Sequence, residues 1–337
     1  MQARSSTIRH KPSGVTVETP LLVPAFSSKG LGIIAGESEV KKILLTAAEF
    51  LEDVYLVSAY DIREGHVPQP RDLPAKPSLI ILDSGGYEIA DDYDLSAISR
   101  SAVGAKTWSL ADLEGVLDAW PPEIPAIFVS YDHPNERKPF NDQVAAARAL
   151  FKGRTNQLHC FLLKPESNTQ FTLKSAIGAA IANPAELASF DVVGVTEKEL
   201  GGCFIDRMVQ IARLRRALNE AAIESPIHVF GSLDPLSVCL YYISGAEVFD
   251  GLTWIRYAFA DDRCIYMHNH AALEYGIHTR DDALRLRVMA ANYYSLVTLQ
   301  ERMKDFGTTK DFHKLPHSEL LMDANDSLQR KLLKGDS

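Results

Sequence analysis

Short apolar runs separated by amphipathic stretches recur along most of this 337-residue chain. Residues 21–26, 54–60, 78–82, 126–131, 158–163, 190–195, 227–231 and 247–251 are rich in β-branched and aromatic side chains and bounded by turn residues, which predicts strands buried on both faces. Between them the spacing changes. Val40, Ile43, Leu44, Ala47, Phe50 and Leu51 recur at helical intervals within 37–51. Helices are likewise predicted over 110–120, stopped by Pro121-Pro122, over 141–151 with Asn141 as N-cap, and over 173–187 with a break at Pro184. An arginine-rich amphipathic helix is predicted over 203–222, and another over 236–243, entered through Asp234-Pro235 and ended by Gly245. The proline-rich passage 67–77 is a loop.

Eight strands alternating with helices, without a composition break, predict a single (β/α)8 TIM barrel rather than a doubly wound sheet. After the eighth strand the rhythm changes. Residues 252–275 read as a hairpin-like excursion and 280–306 as one long helix whose Leu284, Val288 and Leu296 pack on the barrel. A polar link from Gly307 leads to a short helix over 320–333. The expected division is a barrel with its hairpin over residues 1–278 and packed C-terminal helices over 279–337.

With 46% hydrophobic and 23% charged residues, the chain can bury a large core and lacks the bias of a disordered segment. Its apolar runs are too short to span a bilayer, and Met1-Gln2-Ala3-Arg4 opens no signal peptide, so a cytoplasmic protein without membrane contact is expected. Cys160, Cys203, Cys239 and Cys264 are far apart and form no C-x-x-C pair, which argues against a disulfide framework or zinc ribbon and for buried small hydrophobes. A net charge of −9 means that any nucleic acid would have to be held by a local basic patch. Arg256, Arg263 and Arg280 are the candidates.

Three of the predicted strands run into a carboxylate. Residues 78–82 lead to Asp83-Ser84-Gly85-Gly86-Tyr87, 126–131 to Asp132, and 247–251 contain Asp250 near their end. In a barrel the carboxyl ends of the strands form one mouth, so all three would meet there. Clustered carboxylates raise one another's pKa and can divide the roles of nucleophile, base and hydrogen-bond acceptor. The glycine pair is expected to let backbone approach a flat ligand.

These pieces, with Val23-Pro24 to Gly30, Ser58-Ala59-Tyr60-Asp61, Ser130-Tyr131-Asp132, Val193-Gly194 with Glu199, Phe230-Gly231-Ser232 with Asp234-Pro235, Phe249-Asp250-Gly251 with Arg256, and Ala291-Asn292-Tyr293-Tyr294, occur in an order that resembles the tRNA-guanine transglycosylases. That family exchanges an encoded guanine for a 7-deazaguanine base. The resemblance covers roughly residues 20 to 305. It implies Asp250 as nucleophile, Asp83 as general base, Asp132 as the reader of the guanine edge, Gly194 as a backbone contact, and Tyr87 and Phe230 as the side chains sandwiching the ring. Ser84, Val195, Glu199, Gly231 and Arg256 fall in the same motifs and join the substrate-binding set. It also implies guanine or a 7-deazaguanine as ligand, a single-stranded or extruded nucleotide as acceptor, and a second copy of the chain as a candidate partner.

The family's structural zinc is expected to be absent, with no other cofactor. Cys264, His268, His270 and His278 do not have the family's ligand set or spacing, and Ala291 stands where its zinc histidine would precede Asn292. Leu163-Lys164-Pro165 replaces a glutamine-glycine motif at the end of the fifth strand, which alters one wall of the pocket. Without the zinc segment the expected acceptor is not ordinary tRNA but DNA or another polymer, as in bacterial anti-phage systems. The alternatives are a non-catalytic base-binding accessory protein and an unrelated barrel hydrolase using paired carboxylates.

Overall fold

The computed structural model describes residues 2–34, 36–51, 53–73, 77–91, 93–97, 105–167 and 172–334. Eight parallel strands close into a barrel: β1 (Leu21–Phe26), β2 (Val54–Ser58), β3 (Leu79–Asp83), β4 (Ala126–Val129), β5 (Leu158–Leu163), β6 (Val192–Thr196), β7 (Ile227–Phe230) and β8 (Val248–Gly251). Each strand bonds to its sequence neighbours, and β8 closes on β1 with Val248 opposite Leu21 and Gly251 opposite Pro24. Closure removes every edge, and the strands read as continuous apolar runs because helices cover their outer faces. The protein is therefore a (β/α)8 TIM barrel with C-terminal helices. Among the described residues no helix is long and apolar enough to cross a membrane.

Several local expectations change. The chain does not stay extended to residue 60, because β2 stops at Ser58 and Ala59–Glu64 turns into a helix. Asp61 is thereby carried off the strand and buried, where its Oδ2 accepts the Ser28 backbone N–H at 2.8 Å. Asn141 is not an N-cap. The helix Phe140–Phe151 begins one residue earlier behind Pro139, and the carboxylate of Glu166 accepts the Phe140 N–H instead. The break expected at Pro184 is present, dividing the stretch into the helix Lys174–Ala182 and a 3-10 turn at Pro184–Leu187. Within 252–275 the hairpin Ala258–Ala260/Arg263–Ile265 is flanked by two helices, Thr253–Arg256 and Met267–Tyr275. Of the cysteines, Cys160 and Cys239 are buried as expected, Cys264 is partly covered and Cys203 is exposed. An antiparallel pair, Thr7–His10 with Val15–Glu18, precedes the barrel and left no clear period in so short a stretch. Residues 74–76 of the expected loop lie outside the described residues.

The long helix Asp281–Thr309 serves two clusters. Leu296, Leu299, Met303 and Phe306 enter the main core, whereas Leu284 and Val288 pack with Ala258, Met267 and Ala271 of the post-barrel excursion. Leu284 and Val288 are therefore not packed on the barrel itself. The buried amide of Asn292 joins the parts: Oδ1 accepts the Phe259 N–H at 2.7 Å, and Nδ2 donates to the carbonyls of Trp254 and Tyr257 at 2.7 Å each. Asn292→Ala would strip partners from three backbone groups. At about 1 kcal/mol for each group left unpaired, it should cost roughly 3 kcal/mol. Urea unfolding measures this, and a loss well under about 1 kcal/mol would show that the junction is held by apolar packing alone.

Candidate active site

At the end of β3 the chain passes from Asp83 through Ser84 and Gly85 into the short helix Gly86–Ile89. Gly85 has φ +91, and a Cβ there would lie 2.8 Å from Trp108 Nε1 and 2.9 Å from Tyr60 Cβ. A Cβ on Gly86 would lie 2.3 Å from the Asp132 carbonyl oxygen. The glycine pair thus makes room for the protein's own neighbours, Trp108 and the Asp132 backbone, rather than only for a ligand. Trp108 fixes the turn further by donating to the Ser84 carbonyl at 2.9 Å.

The mouth holds a cavity of about 830 Å³, including open solvent at its entrance. Asp83, Ser84, Tyr87, Asp132, Glu199, Phe230, Gly231 and Asp250 line it, so eight of the eleven anticipated site residues are brought together. Gly194, Val195 and Arg256 are not in its lining. Val195 is buried within β6. Gly194 lies beneath Phe230, where a Cβ would come within 2.7 Å of the ring. Arg256 is spent on Asp94, with Nη1 donating to its two oxygens at 2.7 and 2.8 Å and to Ser96 Oγ at 2.7 Å. Tyr87 OH joins this group by donating to Asp94 Oδ2 at 2.6 Å. Burial alone would raise the pKa of Asp94, but the Arg256 charge and these hydrogen bonds hold it below the usual carboxylate range. Arg280, another anticipated basic contact, pairs with Asp282 at the surface.

Two other carboxylates crowd Asp83. Glu88 lines the cavity and accepts from Ser27 Oγ at 2.5 Å and Ser58 Oγ at 2.7 Å, one hydroxyl on each oxygen. Asp61 lies behind, with Oδ1 buried and without a hydrogen-bond partner among the described residues. Burial first, then the Glu88 charge, then that of Asp250, push Asp83 up to about 8. Burial and Glu88 also push Asp61 well above its ordinary value. Asp83 is consequently a neutral acid at neutral pH, able to donate a hydrogen bond or a proton.

Asp250 and Asp132 have different company. Asp250 Oδ1 lies 2.9 Å from His228 Nε2. Asp132 is bracketed by cations: Oδ1 meets Arg137 Nη1, and Oδ2 lies 3.3 Å from Lys164 Nζ. Both cations also reach Glu199, Lys164 at 2.8 Å and Arg137 at 3.6 Å. Burial would raise Asp132, but Lys164 and Arg137 overcome it and lower its pKa. Burial likewise lowers Lys164, and Asp132 with Glu199 more than restores it. One wall of the cavity is therefore a charged patch in which acceptors alternate with donors.

Sequence reasoning missed His228, Glu88, Arg137 and the inward turn of Asp61. Lys164 stood in the segment singled out as altering a pocket wall. His228 carried a readable signal, since it stands two residues before Phe230 and so shares its face of β7. The spacing of Arg137 from Asp132 carried none. Among the described residues no group of three or more His, Cys, Asp and Glu side chains is placed to hold a metal ion. Compared with protein-family models and with curated proteins, the chain matches none.

The protonation of Asp83 predicts a pH effect. In the unfolded chain an aspartate ionises near ~3.9, whereas in the folded protein Asp83 keeps its proton to about 8. Below the lower value both states hold the proton. From there upward the unfolded state gains by releasing it, so stability is lost progressively until pH passes about 8, where the loss levels off. Asp83→Asn should therefore gain on the parental protein by on the order of a few kcal/mol between roughly pH 5 and pH 9. Urea unfolding across that range checks it, and parallel curves for the two proteins would refute a shifted Asp83.

Proposed function

We propose that the protein is a transglycosylase-like enzyme that exchanges guanine for a 7-deazaguanine base in a nucleic acid, through an Asp250–ribose ester. The observation that carries this reading is one cavity lined by Asp250, Asp83, the mixed wall of Asp132, Arg137, Lys164 and Glu199, and the rings of Tyr87 and Phe230. The edge of guanine presents an acceptor, O6, beside two donors, N1–H and the exocyclic amine. Lys164 or Arg137 can donate to O6 while the spare lone pairs of Asp132 accept from the donors. Adenine offers the reverse order and would set donor against donor. The aromatic side chains supply flat apolar surface for the ring.

In the proposed reaction Asp250 attacks the anomeric carbon as the bond to the departing guanine breaks, and Asp83 gives its proton to the leaving base. Asp83, now a carboxylate, takes the ring N–H proton of the entering base, whose nitrogen then displaces Asp250 from the sugar. The two steps return both aspartates to their starting states. A cationic or hydroxylic side chain in place of Asp83 could not serve both directions as well near neutral pH. Because the carboxylates lie inside the barrel mouth, a paired nucleotide would have to be extruded to reach them, which favours single-stranded acceptors.

Two substitutions separate the roles. Asp250→Asn keeps the shape of the side chain but cannot attack, so it should abolish both exchange and the covalent adduct while leaving base affinity within about two-fold. Asp83→Asn should slow turnover by about 100-fold or more yet still leave a detectable adduct, because Asp250 can still attack while the leaving base takes its proton more slowly from water. Incorporation of labelled guanine, with a denaturing gel for the adduct, distinguishes them. Exchange at the parental rate by Asp250→Asn would refute the mechanism and leave a base-binding accessory protein as the better reading.

Base recognition has its own test. Asp132→Ala should weaken guanine binding by about 1–3 kcal/mol, since buried donors lose their acceptor. Calorimetry that finds equal affinities for guanine and adenine in the parental protein would overturn the assignment of the charged wall.

A further inference from the structure

His228 has no part in the reaction as described, yet it is the only side chain recorded in a hydrogen bond with Asp250 among the described residues. The register explains the meeting. His228 stands opposite Val248 on β8 and Gly194 on β6, and Asp250 lies two residues beyond Val248 on the same interior face. The imidazole therefore sits one layer beneath the carboxylate and reaches up to it. Its ring is held flat against Phe230, with centroids 3.7 Å apart and planes 27° apart. Phe230 can lie there because Gly194 has no Cβ. A methyl at that position would come 2.7 Å from the Phe230 ring, 3.2 Å from Cys160 Sγ and 3.3 Å from Leu162 Cδ1. His228 is 1% exposed and Asp250 5%, so the bond is largely shielded from water.

We propose that His228 is a positioning residue for Asp250, holding Oδ1 so that Oδ2 is the oxygen that attacks the anomeric carbon. The inference rests on the base-exchange reading. An ionised carboxylate can only accept, so Nε2 carries the hydrogen. In the first half-reaction Oδ2 forms a bond to the anomeric carbon as the bond to the base nitrogen breaks, and the departing base takes the electron pair together with the proton from Asp83. Oδ1 then becomes the carbonyl oxygen of the ester and keeps its hydrogen bond to Nε2. In the second half-reaction the ester oxygen leaves as carboxylate, into a site where Nε2–H already stabilises that charge. Orientation is the larger effect, because a carboxylate free to rotate presents its attacking lone pair in line only part of the time.

A core histidine that merely satisfied a buried carboxylate would affect stability and little else. The variants His228→Phe and His228→Gln separate the two roles, since phenylalanine fills the space without a donor and glutamine restores an N–H near the place of Nε2. With the full chain, labelled guanine-containing single-stranded oligonucleotide and free guanine as probes, His228→Phe should form the adduct about 10- to 100-fold more slowly, with guanine affinity changed less than about two-fold. His228→Gln should recover at least about 10-fold of a 100-fold loss, or most of a smaller one. Adduct formation by His228→Phe at the parental rate would overturn the inference, as would equal slowness of the two variants in folded protein of unchanged guanine affinity. A parental protein that forms no adduct would overturn the base-exchange reading as well, so the two failures are distinguishable.

Discussion

Like charges gathered in a dry cavity must each be neutralised, and this constraint arranges the barrel mouth. Six carboxylates crowd one opening: Asp61, Asp83, Glu88, Glu199 and Asp250 are buried, and Asp132 is partly covered. In a medium of low effective dielectric they cannot all remain bare anions. The structure uses four different remedies. Asp83 and Asp61 are pushed toward the protonated form, Glu88 accepts two serine hydroxyls, Asp250 meets His228, and Asp132 shares Arg137 and Lys164 with Glu199. Chemically similar side chains thereby become a protonated acid, an acceptor of two hydroxyls, a carboxylate paired with a histidine and part of a mixed patch of donors and acceptors.

Packing makes these differences persist. The roles depend on which neighbours come close, and close approach is secured where side chains have been removed. Gly86 lets the Asp132 segment press against the turn that carries Tyr87 and Glu88, and Gly194 lets Phe230 lie on His228. Both positions couple a wall of the cavity to an ionisable group beside it. A methyl group at Gly86 would meet backbone, which cannot swing away as a side-chain tip can. The turn after β3 and the layer beneath β8 are thus parts of the electrostatic arrangement as well as of the fold.

The barrel was legible because its strands obey a simple rule. Runs such as Ile80-Ile81-Leu82 and Val192-Val193 are apolar on both faces, and their carboxyl ends converge whatever the loops do. That rule alone places Asp83, Asp132 and Asp250 in one mouth. It does not reach side chains whose position depends on a local change of direction. Asp61 follows the run 54–60 and would stand at a strand end if that run stayed extended, but the chain turns into a helix after Ser58 and takes it out of the layer. Arg256 looked available for a ligand, but its partner Asp94 comes from a loop with no periodic pattern. His228 was readable in principle from alternation along β7. A histidine inside an apolar strand, however, points to no particular partner until the register with β8 is known.

The wall around Asp132 shows how a different set of side chains can supply an alternation of donors and acceptors. Where the transglycosylase resemblance calls for a glutamine-glycine pair after the fifth strand, this chain has Lys164-Pro165. A neutral amide offers both a donor and an acceptor from one side chain; lysine offers donors only and adds a charge. Such a replacement beside Asp132 would alone form an ion pair and take that carboxylate away from a ligand. Arg137 and Glu199 change the outcome, because two cations shared between two carboxylates leave no net charge and no cation wholly committed to Asp132. Lone pairs on Asp132 remain beside N–H donors, so an acceptor–donor alternation survives with different side chains supplying it. On the base-exchange proposal, guanine's edge would be met by a charged cluster instead of an amide, which requires all four residues together.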